Sequence, residues 1–329
     1  MDSNFSRRSF IRSAAAVLAA PAGLSIGSTP AEAGQHPPEG AEKLTTYQEA
    51  EINGRVRGPH LWLRWNNEVV TSYRAHPTQK YPYFYPVRGP VSGLSLTAET
   101  ALPWPHHRSL YFACDHVNQA NFWQEGLERG QITSTGPSIG DTTATSAVLH
   151  DACEWAVPGQ AVQMTDARKF TIALDALPRQ WTIDAEIAWK AVEDVEVTRT
   201  NHALFSVRVA PDITPWAGGT MITSENAVGE ENTFGKPARW CAFYGKRRSM
   251  PDGPVEGIAL FDHPRNPWAP CPWFTRDYGM MSPMPFQWIK EPWHLPAGET
   301  VHLKYKIVAF AGDPQEAELP KLYDRWIAA

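Results

Sequence analysis

Two segments of this chain alternate apolar and polar residues with a period of two. Trp181, Ile183, Ala185, Ile187 and Trp189 are interleaved with Thr182, Asp184, Glu186, Ala188 and Lys190. Val301, Leu303, Tyr305 and Ile307 are interleaved with His302, Lys304 and Lys306. A helix would scatter such a pattern around its axis, whereas a strand sends successive side chains to opposite faces, so each segment reads as a half-buried antiparallel strand. Shorter strand signals recur at His60–Val70, Gly93–Ala98, Ser109–Cys114, Ala144–His150, Phe170–Leu174, Ala203–Ala210, Arg239–Tyr244 and Gly257–Phe261. With 29 prolines in 329 residues, long helices are disfavoured and turns favoured. The one good helical pattern is the tail, with Pro320 in a first turn and Leu322 and Trp326 on one side. The expectation is all-β: a single antiparallel β-sandwich over 46–329 with a short C-terminal helix. Two stretches, Gly218–Pro237 and Pro264–Leu295, read as long loops. The second is aromatic enough to wall a cleft.

Residues 1–33 read as a twin-arginine export signal: Ser6-Arg7-Arg8-Ser9-Phe10-Ile11-Arg12, an apolar stretch from Ala14 to Leu24, then Ala31-Glu32-Ala33 for a signal peptidase. Residues 34–45 read as a flexible leader. The expected location is periplasmic or secreted, and no later run is long and apolar enough to span a membrane. A net charge of −5 with scattered signs leaves no footprint for nucleic acid. Cys114, Cys153, Cys241 and Cys271 form no CxxC motif, and an oxidising compartment would permit a disulfide among them. Oligomeric state is not legible in the sequence.

Polar chemistry gathers at strand ends. Pro105–Gly126, PHHRSLYFACDHVNQANFWQEG, puts His106, His107 and Arg108 at the entry of one strand and Asp115, His116 and Asn118 at its exit. At about 3.3 Å per residue those ends lie some 20 Å apart, too far for one pocket unless the chain bends. Asp262-His263-Pro264-Arg265-Asn266-Pro267 places an acid beside an imidazole after a strand, with Trp273, Arg276 and Asp277 following. Asn201-His202 precedes a strand that contains Arg208. His106, His107, His202 and His263 offer imidazoles to a metal, but adjacent histidines on an extended chain face opposite ways and no HxH, HxxxH or HExxH spacing occurs. No cofactor and no metal are therefore expected. There is no glycine-rich phosphate loop before a helix.

Four stretches, KYPYFYPVRGP, PHHRSLYFACDHVNQANFW, GIALFDHPRNPWAPCPWFTRDYG and LPAGETVHLKYKIVAF, resemble bacterial proteins labelled methane oxygenase PmoA-like, also known as domain of unknown function 6807. The usual pattern reads HHRGLWF, and this chain has Ser109 where glycine is usual. The label borrows the name of an integral membrane subunit, and a chain without a spanning segment after its leader does not suit that role. The resemblance implies a galactose-mutarotase-like supersandwich and, by analogy of fold, sugar chemistry.

The leading expectation is an exported carbohydrate-active protein, an enzyme acting on a glycoside or sugar ring by acid–base chemistry as a hydrolase, lyase or epimerase. In that reading His107 and His263 transfer protons within about 10 Å of each other, as flanking catalytic carboxylates do in glycosidases. Asp262 orients one of them. Arg108 and Arg276 bind hydroxyls or a uronate carboxylate, Asn118 and His202 add polar contacts, and Trp123 and Trp273 offer stacking faces. A non-catalytic glycan-binding module and a small exported metalloprotein are the alternatives.

Overall fold

The alternating segment around Trp181–Lys190 is the middle of a twelve-residue strand, Gln180–Ala191. It pairs on one side with Thr300–Ala311, the other alternating segment, and on the other with Val162–Ala173. The computed structural model describes residues 44–48, 60–174 and 176–329. The expected signal peptide and nearly all of the expected leader lie outside the described residues.

Among the described residues the strands form two large antiparallel sheets and a two-stranded ribbon. In spatial order the eight-stranded sheet runs Leu44–Gln48, His60–Trp65, Glu68–Arg74, Tyr83–Val87, Leu110–Cys114, Ala203–Arg208, Met280–Pro283, Trp273–Arg276. The nine-stranded sheet runs Thr220–Thr223, Trp240–Lys246, Val255–Asp262, Thr300–Ala311, Gln180–Ala191, Val162–Ala173, Ser146–Ala156, Gln131–Ser134, with Ser138–Thr142 paired to Ser146–Ala156. Aromatic rings join the inner faces: Phe84 meets Phe170 at 4.8 Å, Phe205 stacks on Tyr305 at 5.1 Å and Phe112 meets Trp189 at 6.0 Å. The architecture is the all-β antiparallel sandwich expected, at the scale of a supersandwich.

An ionic network is sealed between the sheets. Arg168 grips Asp166 with two hydrogen bonds of 2.6 and 2.8 Å, and Trp155 Nε1 donates to the same carboxylate. Tyr73 and Ser134 donate to Asp151 alongside. Every acceptor here has a donor, which is the condition under which buried charge is tolerated.

The outward face of the nine-stranded sheet carries a second apolar patch, Trp240, Ala242, Ala259, Phe261, Val308 and Phe310, closed by Leu319 and Tyr323. Those last two belong to the C-terminal helix Leu319–Ala328, which has Pro320 in its first turn. The helix buries Leu319 and Tyr323 fully, while Leu322 and Trp326 flank them. No described helix is long and apolar enough to cross a membrane.

Local expectations changed in three places. His60–Val70 is not one strand but a hairpin, because Asn66 and Asn67 take φ of 47° and 64° and turn the chain. Gly93–Ala98 makes only isolated bridges. The two long loops contain ordered pieces, among them the strands Thr220–Thr223, Trp273–Arg276 and Met280–Pro283. All four cysteines are buried and free. Ser109 takes φ 58°, a left-handed conformation that glycine adopts without strain.

Candidate functional site

Cross-strand partners share a face of a sheet. Tyr111 pairs with Ser206, so Arg208, two residues on, lies on their side, the outward face of the eight-stranded sheet. Phe112, Phe205 and Val207 alternate with them and face the core. Trp123 lies against Tyr111 at 4.8 Å and His202 at 5.4 Å.

The entry loop folds back over this face instead of running straight. His107 N–H donates to Trp104 carbonyl in a turn, and Tyr81, stacked on Tyr111 at 4.6 Å, donates to His106 carbonyl. The expected 20 Å separation of the two strand ends is therefore bridged by a bend, and both adjacent histidines meet His202. Ring centroids of His106 and His202 are 5.7 Å apart, those of His107 and His202 6.4 Å, and those of His106 and His107 4.5 Å. The rule that neighbouring histidines diverge fails because residues 104–107 turn rather than extend. Asp115, itself held by His116 N–H, lies 3.4 Å from His202 Nδ1, so the carboxylate engages Nδ1 and not Nε2.

Burial, followed by repulsion from the neighbouring imidazoles and Arg208, pushes His107 down to about 2. Burial pushes His106 down to about 4, with His202 adding to the shift. Both rings are neutral at pH 7 and keep a lone pair. His106 Nε2, both nitrogens of His107 and Trp123 Nε1 are buried without a hydrogen-bond partner.

Arg208 is the other anomaly. Three described arginines are buried: Arg168, Arg208 and Arg247. Arg168 is paired with Asp166, and Arg247 with Asp212 and Glu256. Arg208, 2% exposed, has no carboxylate partner among the described residues. One nitrogen donates to Leu102 carbonyl, the guanidinium lies 4.6 Å from the Tyr278 ring centre, and Nε and Nη1 have no partner. Tyr278 in turn stacks over His107 at 6.1 Å, linking the guanidinium to the imidazoles. Tyr278 comes from the long aromatic loop Pro264–Leu295. Trp216, 70% exposed, meets Tyr278 at 5.8 Å, and Trp104, 46% exposed, meets His106 at 6.0 Å.

His107, His202 and Trp123 thus share one site, but the other expected residues do not join it. His263 follows Phe261 on the outward side of the nine-stranded sheet, its ring 4.8 Å from Trp326 of the C-terminal helix. Both sheets stand between it and His107, and the neighbours of the two rings have no residue in common, so the acid–base pair is not formed. Asp262 does not orient His263, since adjacent residues of a strand point apart. Its Oδ1 accepts from Asn266 and its Oδ2 has no partner, while His263 Nδ1 accepts from Arg265 N–H. Arg108 is held by Glu125, and Arg276 by Glu230 between Phe234 and Phe274, so neither fork is open. Asn118 is used at both ends, accepting from Glu196 N–H and donating to Asp194 carbonyl. Trp273 is fully buried and donates to Ala238 carbonyl. Trp123 is fully buried as well and is a floor, not a stacking platform. The exposed rim tryptophans were missed. Their signal was local: Trp104 sits between Pro103 and Pro105, and Trp216 follows Pro215.

A groove of about 280 Å³ beside His263 is lined by Asp184, Glu186, Arg265, Lys304 and Trp326. Two of its carboxylates are already matched, Asp184 by Lys306 and Glu186 by Lys304.

Residues 60–324 match the family of unknown function DUF6807. The chain belongs to that family. No curated protein matches it. Among solved structures, this DUF6807 chain is similar to the Lactobacillus brevis alpha-galactosidase at 10% identity and a TM-score of 0.36, covering 84% of this chain and 41% of that one. It is similar to an Escherichia coli K12 protein assigned as an aldose 1-epimerase at 12% identity and a TM-score of 0.30, covering 82% and 99%. A polysaccharide lyase matches at 10% identity and a TM-score of 0.27, covering 82% of this chain and 33% of that one. The DUF6807 chain therefore spans less than half the length of two of these three.

Asp262 yields a pH prediction. Burial raises its carboxyl from 3.8 to about 7. Between those values the unfolded chain has lost the proton and the folded chain keeps it, so stability falls as pH rises from about 4 to 7 and levels off beyond. The whole span is worth on the order of 4 kcal/mol. Urea unfolding at several pH values should show Asp262→Asn lacking that loss relative to the parent. Parallel pH profiles for the two would refute it.

Proposed function

We propose that this chain is an exported carbohydrate-active enzyme whose substrate is an acidic sugar, bound on the outward face of the eight-stranded sheet. The observation that carries this reading is the buried, unpaired Arg208 fork. A guanidinium stays protonated, and a buried charge without a counter-ion is costly. A ligand carboxylate would supply both the charge and the acceptors, as arginine does for planar anions. Trp104 and Trp216 present aromatic faces at the rim that suit the C–H face of a sugar ring. The imidazoles of His106, His107 and His202 lie beside the anchored group, within reach of its hydroxyls.

The test is calorimetric titration of the full chain with glucuronate and galacturonate, their oligomers, the neutral hexoses and the uronate methyl esters, with product detection on each mixture. Acids should bind at least about tenfold more tightly than esters or neutral sugars, the scale of a charge-assisted hydrogen bond. Equal affinity for acid and ester would overturn the reading. Preferential binding of acids without product would replace the enzyme by a glycan-binding module, which the exposed tryptophans also suit.

A further inference from the structure

We propose that His106, His107 and His202 form a binding site for one divalent transition-metal ion of the zinc class. The three offer ligand nitrogens that all lie within 4.8 Å of one another. Among the described residues, no other group of three or more His, Cys, Asp or Glu side chains meets that test.

A second, independent observation points the same way. His106 Nε2 and both His107 nitrogens are buried and have no hydrogen-bond partner. His107 is 2% exposed. A buried polar atom left without a partner costs about 1–3 kcal/mol, and proteins rarely keep several side by side. A metal ion would take up one lone pair from each ring, at His106 Nε2 and at one His107 nitrogen, while the other His107 nitrogen carries the ring proton. His202 already has the arrangement a ligand histidine needs. Its Nδ1 faces the Asp115 carboxylate at 3.4 Å, which would fix the ring and direct Nε2 inward. Asp115 is in turn fixed by His116 N–H at 2.6 Å.

Donor chemistry selects the ion class. Three imidazoles with no thiolate and no carboxylate in the set suit zinc, copper, iron or nickel rather than magnesium or calcium. Three histidines leave a fourth position for water or substrate, as in catalytic zinc sites. With bonds near 2.0–2.1 Å, two nitrogens on a tetrahedral ion stand about 3.4 Å apart, so the widest pair would close by at most about 1.4 Å through ring rotation. Charges near the cluster are Arg208 across Tyr278, Asp115 behind His202 and Glu125 beside His106. The guanidinium disfavours a cation and the two carboxylates offset it.

The experiment needs no sugar, so its outcome is separate from the reading of substrate class. Untagged full chain, stripped with chelator and dialysed, is titrated with Co²⁺ and followed by visible absorption, with elemental analysis after gel filtration. The expected result is one equivalent of Co²⁺ per chain with d–d bands of a four- or five-coordinate site, displaced by Zn²⁺. His106→Ala and His202→Ala should each lower Co²⁺ affinity more than the roughly 10–100-fold that loss of an outer-shell partner costs. Both rings are only part-buried, and circular dichroism would confirm folding of each variant. Should either variant fail to fold, the bands and stoichiometry of the parent chain decide. Less than half an equivalent at 0.1 mM Co²⁺ would overturn the proposal. Binding that survives in folded His106→Ala/His202→Ala protein is adsorption elsewhere and overturns it as well.

Discussion

Arg208→Met is expected to make the protein more stable and functionally blind to acidic sugars. The two effects have one cause. In the ligand-free chain the guanidinium is 2% exposed, donates one hydrogen bond to Leu102 carbonyl and leaves Nε and Nη1 unpartnered. Methionine fills similar volume without charge, and exchanging buried ionic groups for well-packed apolar ones is often neutral or stabilising by about 1–4 kcal/mol. The contact with Tyr278 at 4.6 Å is lost, which offsets part of that gain. Affinity for a uronate should fall by about 100-fold or more, because the carboxylate would then be buried without a donor. Thermal unfolding and calorimetric titration of one preparation check both. A variant that is clearly destabilised and binds uronate unchanged would show that Arg208 is a structural residue. Stability held in reserve against function is a recurrent trade at binding sites.

Arg168→Met should have the opposite sign. Here the guanidinium has a full set of partners, and removing it strands the Asp166 carboxylate with Trp155 Nε1 as its remaining side-chain donor. Breaking a buried pair from one side costs about 3–5 kcal/mol. For a domain of this size that corresponds to a fall in Tm on the order of 10 °C. The double variant Arg168→Met/Asp166→Leu removes both charges and should recover much of the loss. Urea unfolding of the parent, the two single variants and the double variant gives the coupling directly. A single-variant cost under about 1 kcal/mol would mean that water reaches the network and that the sheets are less tightly closed than their aromatic contacts imply. The contrast between the two arginines is instructive: both are buried, and only the presence of a carboxylate separates a structural residue from a candidate ligand group.

Some of this was legible along the chain. The period-two pattern at Trp181–Lys190 and Val301–Ile307 determined two central strands and the face each buries, because alternation depends only on which side of a pleated strand is dry. Prolines and short strand signals determined the class, and Pro320 marked the start of the closing helix. Of the expected site, His107, His202 and Trp123 converge, although His107 and His202 start from opposite ends of the paired strands, because the loop before Leu110 folds back over the sheet face. Tertiary structure decided the rest. Which side of the sandwich a strand end faces is a property of the sheet order, and it set Asp262 and His263 apart from His107. Whether an arginine is open depends on carboxylates distant in sequence: Glu125 closes Arg108, Glu230 closes Arg276, and no described carboxylate closes Arg208. The adjacent histidines face one point because a turn at Trp104–His107 replaces the extended chain that alternation assumes. Local periodicity reports burial of one face at a time. A site is made where several faces meet, and that meeting is fixed only when the sheets pair and the loops fold back over them.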